Sequence, residues 1–124
     1  MSQRIDKAWG WEEVIVNNDL YCGKLLHLNA GAVSSTHSHR YKHETFYVLR
    51  GRVRILVGGN GYILWEGQSV GVPPKTLHRF QGLEDSVIIE FSTPHSDSDV
   101  YRITASKPAP KEQYGEALQR SDRI

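Results

Sequence analysis

The stretch GAVSSTHSHRYKHETFYVLRG, residues 31–51, decides how this chain is read. His37 and His39 stand two apart, and residues two apart on a strand point to the same face. A turn follows, and Glu44 opens the alternating run ETFYVLR at 44–50. A β-hairpin therefore aims two imidazoles and one carboxylate at a common point. Behind Gly67 and Pro73, His78 offers a third imidazole. Three imidazoles and a carboxylate suit one divalent transition metal, and Mn, Fe, Zn, Co and Ni all accept such donors.

Outward from this stretch the pattern stays β. Short apolar runs alternate with turn residues, predicting strands near 12–17, 20–29, 32–39, 44–50, 52–57, 61–66, 69–72, 77–81, 86–92 and 99–104. GGNG at 58–61 is the clearest hairpin turn, because glycine and asparagine tolerate positive φ. Pro73 and Pro74 end a strand, since proline offers no ladder donor. Glu44, Phe46 and Val48 share one face, and Thr45, Tyr47 and Leu49 share the other. Both faces are largely apolar, so both are expected to be covered, one by the interior and the other by a second sheet or a second subunit. Val87, Ile89 and Phe91 behave alike, opposite Ile88 and Glu90.

Length and charge narrow the classes. A chain of 124 residues is one domain. The formal net charge of +1, with scattered lysines and arginines, gives no bulk pull toward nucleic acid or membrane. Cys22 is the single cysteine, so no internal disulfide forms, and it is expected to act as a small buried apolar group. No apolar run reaches the roughly 20 residues a bilayer requires, and the polar start does not resemble a secretory signal. The expectation is a soluble cytoplasmic protein, paired as a homodimer to hide its second apolar face. From Ser106 the chain turns polar and proline-punctuated, which divides it into a folded unit over 1–105 and a weakly ordered tail over 106–124, with room for two helical turns between Glu112 and Arg120.

Gly31, His37, His39, Glu44 and Gly51 resemble in full the first signature motif of the cupins. Gly67, Pro73 and His78 resemble the second, with Lys75 where that motif has glycine and Gly82 where it has asparagine. The resemblance implies an all-β, single-domain cupin β-barrel, a double-stranded β-helix or jelly roll, with His37, His39, Glu44 and His78 on a metal. Fold alone does not give function. A finer likeness runs through Trp9-Gly10-x-Glu12, residues 21–26, residues 44–49, residues 90–93, Asp97, Asp99 and Tyr101-Arg102. These stretches resemble the small sugar-isomerase cupins, those similar to D-lyxose isomerase and to the cupin domain of type II mannose-6-phosphate isomerases. In the latter the position of His37 is often Gln. The likeness implies a metal-dependent isomerase or epimerase of a small-molecule sugar or sugar phosphate, working by Lewis-acid-assisted proton transfer through an enediolate. An iron-dependent dioxygenase using the same ligands, and a sugar-binding module without catalysis, are the alternatives.

Catalytic groups must come from beyond the four ligands. Lys24 shares a strand face with Cys22 and Leu26, and a lysine in a central strand is a candidate base or clamp. Glu90, among apolar neighbours, is the second candidate base. Arg79 and Arg102 are candidates to grip a phosphate. Tyr47, Phe80, Tyr101 and Trp65 are candidates to wall a sugar ring. His43 falls on the opposite face to Glu44, and His27, alongside Leu25, is expected in the packed core.

Overall fold

The computed structural model describes residues 2–109. Its strands are β1 (Gln3–Lys7), β2 (Gly10–Asn17), β3 (Cys22–Leu28), β4 (His37–Ser38), β5 (Glu44–Arg50), β6 (Arg52–Val57), β7 (Asn60–Trp65), β8 (Ser69–Val72), β9 (His78–Gly82), β10 (Ser86–Ser92) and β11 (Tyr101–Arg102). A 3-10 turn over Asp97–Asp99 is the single helical element among the described residues. No helix among them is long and apolar enough to cross a membrane. The strands form two antiparallel sheets, one ordered β1-β2-β3-β10-β5-β8 and the other β11-β4-β9-β6-β7.

Alternation explains the packing. On β3 the residues Cys22, Lys24, Leu26 and Leu28 are buried while those between them are half-buried. On β5 the inward set is Glu44, Phe46 and Val48. Between the sheets lies an apolar core that includes Leu26, Leu28, Phe46, Val48, Val53, Ile55, Phe80 and Ile88. Trp9 is buried with them and meets the Phe80 ring edge-on at 5.3 Å. This is the two-layer jelly roll expected from the sequence. Gly51 makes the β5–β6 reversal possible: its φ is +90°, and a Cβ there would lie 2.2 Å from Ser86 Oγ.

Several details depart from the sequence expectations. The polar run Gln3–Lys7 forms an edge strand, paired with β2 from Gln3↔Val14 to Lys7↔Gly10. The strand expected over 32–39 shrinks to His37–Ser38, with an isolated bridge at Val33. The one expected over 99–104 shrinks to Tyr101–Arg102 behind the 3-10 turn. His27 is not in the core. It sits half-buried on the outer face of β3, stacked on Trp11 with ring centroids 3.7 Å apart. Because both faces of β3 carry leucines, composition alone does not tell inner from outer. Ser106 Oγ accepts a hydrogen bond from Ser35 N, and Lys107 pairs with Val33. The helical turns expected between Glu112 and Arg120 lie outside the described residues.

Lys75 holds φ at +63°, the one positive φ among the described non-glycine residues, and its N–H donates to His39 O at 2.6 Å. The turn thus demands a left-handed residue where the cupin motif has glycine. Lys75→Gly relieves that strain and is expected to stabilise the protein by roughly 1 kcal/mol, read from urea unfolding.

Candidate metal centre and adjoining cavity

His37 comes from β4, His39 from the residue just past its end, Glu44 from the start of β5 and His78 from the start of β9. β4 and β5 do not form the hairpin expected from the sequence; they belong to opposite sheets, and the ligands meet between them. Register places His37 opposite His78 across the β4–β9 pair. The three histidine ligand atoms all lie within 4.8 Å of one another. Glu44 Oε2 lies 3.1 Å from both His39 Nε2 and His78 Nε2. Glu44, His39 and His78 are buried, and His37 is half-buried.

The far nitrogens fix the rings. His37 Nδ1 lies 2.9 Å from Ser35 O, His39 Nδ1 3.0 Å from Asp99 O, and His78 Nδ1 2.9 Å from Thr76 O. A carbonyl only accepts, so each ring donates its Nδ1–H and turns the Nε2 lone pair inward. Those lone pairs face a carboxylate oxygen, which also only accepts. His39 Nε2, His78 Nε2 and Glu44 Oε2 accordingly have no hydrogen-bond partner, although all three are buried. Acceptors converging in a dry site oppose one another unless a cation lies among them. The backbone bonds behind the rings are the support that metal-ligating histidines use. The donor set fits a divalent transition metal, and His37, His39, His78 and Glu44 are the residues that would hold it.

Charge around the centre follows. Burial, with the His78 ring next in weight, lowers the His37 pKa to about 3. Burial alone would raise the Glu44 carboxyl, but hydrogen bonds from the His39 and His78 rings, in the state where Nε2 carries a proton, and the Lys42 ammonium outweigh it and hold the carboxyl low. Burial raises the Cys22 thiol, with the Glu90 charge adding to it, so this cysteine is a poor nucleophile.

A cavity of about 90 Å³ opens beside the ligands. Trp9, Leu26, Phe46 and Phe80 give it an apolar wall, and Glu12, Lys24, Lys42 and Glu90 a charged one. Lys24 and Glu90 are direct partners in the β3–β10 register, and both are buried. Lys24 Nζ lies 3.5 Å from Glu12 Oε1, which gives the Trp-Gly-x-Glu stretch a physical role. Arg102, exposed, lines the cavity near Asp97. Tyr47 and Arg79 are not brought to the cavity. Tyr47 faces outward and half-buried from β5, and Arg79 outward and exposed from β9, each one residue out of phase with the inward set. Tyr101 and Trp65 are likewise exposed and outside the lining, with Arg52 lying over the Trp65 ring at 5.0 Å. His43 is exposed.

Sequence reasoning missed Lys42. Its Nζ is buried, 2.7 Å from Glu90 Oε2, 3.6 Å from Glu44 Oε1 and 3.1 Å from His95 Nδ1. Burial opposes its charge, but Glu90 and Glu44 outweigh that and raise its pKa. His95 is held in turn by Asp97, whose Oδ1 accepts from Nε2 at 3.0 Å. The signal in the sequence was slight: Lys42 lies three residues after His39 and two before Glu44, in phase with the ligands. Asp99 was also missed as a support. Its buried carboxylate accepts the backbone N–H groups of Arg40, Tyr41 and Lys42, and its carbonyl holds His39. Asp99→Ala leaves those amides unsatisfied. It is expected to cost about 2–3 kcal/mol in chemical unfolding and to weaken metal binding roughly 10–100-fold in competition titrations.

The cupin domain family matches residues 24–91. The chain belongs to the cupin family. This cupin is 32% identical to the D-lyxose/D-mannose isomerase of Thermosediminibacter oceani, over 79% of this chain and 70% of that protein. It is 26% identical to the mannose-1-phosphate guanylyltransferase RfbM of Salmonella typhimurium over 82% of its own length, yet it spans only 22% of that enzyme. Among solved structures it is similar to KdgF from Halomonas sp., with a TM-score of 0.67, 24% identity, and coverage of 71% of this chain and 81% of that one. It is also similar to CapF from Staphylococcus aureus, with a TM-score of 0.75, 18% identity, and coverage of 85% and 33%. The last two likenesses concern the fold.

Proposed function

We propose that this cupin is a metal-dependent isomerase of a sugar or sugar phosphate. The observation that carries the reading is the buried Lys42–Glu90 pair, which lines the same cavity as His37, His39 and Glu44. A sugar bound in that cavity would meet both the carboxylate and the ammonium. The identity to a D-lyxose/D-mannose isomerase along most of both chains supports it.

A bound divalent metal supplies Lewis acidity to the carbonyl and adjacent hydroxyl of the sugar. Glu90 takes the proton from the carbon next to the carbonyl and returns it to the neighbouring carbon. The hydroxyl proton passes between the two oxygens, so the exchange balances without an oxidant or reductant. Lys42 holds Glu90 in place through the 2.7 Å contact and offsets its charge. Lys24, steadied by Glu12, offers ammonium hydrogens to a sugar hydroxyl. Trp9 and Phe80 exclude water from one side. Arg102, which lines the cavity, would meet a phosphate where the substrate carries one.

The test is solvent exchange. Manganese-loaded protein is incubated in D₂O with free and phosphorylated aldoses and ketoses. Nuclear magnetic resonance should show interconversion with deuterium entering at the carbon next to the carbonyl. Glu90→Gln should abolish both while keeping the metal. Absence of exchange and interconversion across all the sugars would defeat the proposal, and oxygen uptake with Fe²⁺ would replace it with the dioxygenase reading.

A further inference from the structure

Of the eight residues of β2, Glu12 alone is buried. A strand position turned toward a core is ordinarily apolar, and a carboxylate there is costly unless its oxygens are met. The Trp-Gly-x-Glu stretch builds this placement. Gly10 holds φ at +148°, and a Cβ on it would collide with His27 O, so glycine lets β2 begin this close to β3. Trp9 before it and Glu12 after it both line the cavity.

Glu12 is poorly met. Its Oε1 lies 3.5 Å from Lys24 Nζ, longer than the ~2.8 Å of a tight ionic hydrogen bond. Among the described residues Oε2 has no hydrogen-bond partner, and Lys24 Nζ has none besides Glu12. The other buried lysine differs: Lys42 Nζ is held by Glu90 at 2.7 Å, by His95 at 3.1 Å and by Glu44 at 3.6 Å. Lys24 therefore keeps ammonium hydrogens, and Glu12 an oxygen, for something inside the cavity. A donor and an acceptor side by side match hydroxyls on adjacent carbons, one accepting and the other donating. The sheet order puts this pair, on β2 and β3, on the far side of Glu90 on β10 from Glu44 on β5. Lys24 faces Glu90 directly in the β3–β10 register. A sugar whose carbonyl end lies at Glu90 and the ligands extends its remaining hydroxyls toward Lys24 and Glu12.

We propose that Glu12 and Lys24 read a vicinal diol of the substrate beyond its reacting carbons, Glu12 accepting from one hydroxyl and Lys24 donating to the other. Glu12 is thereby a specificity-determining residue, and the ligand class is a polyhydroxylated chain rather than a short hydroxycarbonyl compound. This rests on the isomerase reading for the end of the sugar that faces the metal, but its test is binding.

Calorimetric titration of the manganese-loaded full chain with arabinitol, xylitol, mannitol and glucitol provides that test, because these polyols have no carbonyl to isomerise. The tightest binder is then compared with its monodeoxy derivatives. Hydrogen bonds to charged groups imply that loss of either hydroxyl of the diol weakens binding about 10–100-fold. In Glu12→Ala one of the two penalties should disappear. In Glu12→Gln it should fall to roughly its square root, because a neutral acceptor is about half as strong. A merely structural Glu12 would weaken polyol and deoxy derivative alike and leave their ratio unchanged. Circular dichroism melts confirm that each variant is folded. The proposal is overturned by a wild type that binds none of the polyols or binds every deoxy derivative equally well, and by a ratio that survives in both Glu12 variants. Deuterium exchange into dihydroxyacetone by the wild type reads the isomerase chemistry separately, since that sugar has no diol beyond its reacting carbons. Exchange without hydroxyl preference sinks the diol pair alone, and hydroxyl preference without exchange sinks the isomerase reading alone.

Discussion

His39→Ala leaves the sandwich folded and strips it of metal. The core that holds the sheets together is apolar and does not include this ring. In the wild type, metal at a thousand times its dissociation constant adds about 4 kcal/mol to stability, and a chelator removes that gain. In His39→Ala the stabilisation is expected to vanish at the same metal concentration, because losing a ligand costs more than the 10–100-fold typical of losing a supporting group. His43→Ala, altered on the exposed side of the same loop, keeps both the metal and the stabilisation. Metal analysis after gel filtration, with calorimetry of loaded and chelated samples, reads both. Equal losses in the two variants would refute the placement of His39 and His43 on opposite faces.

Lys42→Met is the second large effect. It leaves Glu90 and Glu44 buried with no ammonium between them. Removing one partner of a buried pair costs about 3–5 kcal/mol. Adding Glu90→Gln to the same chain is expected to restore much of that stability, since the uncompensated charge disappears. Sugar turnover should fall about 10²–10⁴-fold in Lys42→Met and should not return in the double variant, which lacks the base. Urea unfolding and initial rates separate the two effects. A cost below about 1 kcal/mol would mean that Lys42 behaves as a surface lysine. Because the folded pKa of Lys42 is raised, the stabilisation from the pair is complete below the ordinary lysine value of about 10.4. It is lost as the pH climbs through the folded value, so the wild type should show an alkaline destabilisation that Lys42→Met lacks.

Much of the architecture was legible because period-two alternation and turn residues are local. The strands read at 44–50, 52–57, 69–72 and 86–92 stand at those positions. The ligand residues do converge, but not on the expected hairpin: β4 and β5 lie in opposite sheets, and Glu44 meets the histidines across the sandwich. What escaped depends on distant neighbours. The strand Gln3–Lys7 carries no apolar alternation and exists because β2 offers it an edge. Lys42 sits in the polar run RYKH and reads as solvated; only the approach of β10 and of His95 makes it a buried cation. Tyr47 and Arg79 have side chains suited to a sugar site, but each stands one step out of phase, and composition does not record phase when both faces are apolar.

The reach of Asp99 back to Arg40, Tyr41 and Lys42 has a kinetic consequence. Its contacts with the loop and with His39 span 57 to 60 residues of chain. Closing so long a segment is entropically slow compared with zipping the β2–β3 and β6–β7 hairpins. In refolding from denaturant the hairpins should therefore mature first, and high-affinity ion capture should lag behind the recovery of strand signal. Stopped-flow mixing with a chromophoric zinc indicator would resolve that delay, and trapping the ion would complete the last stage of maturation.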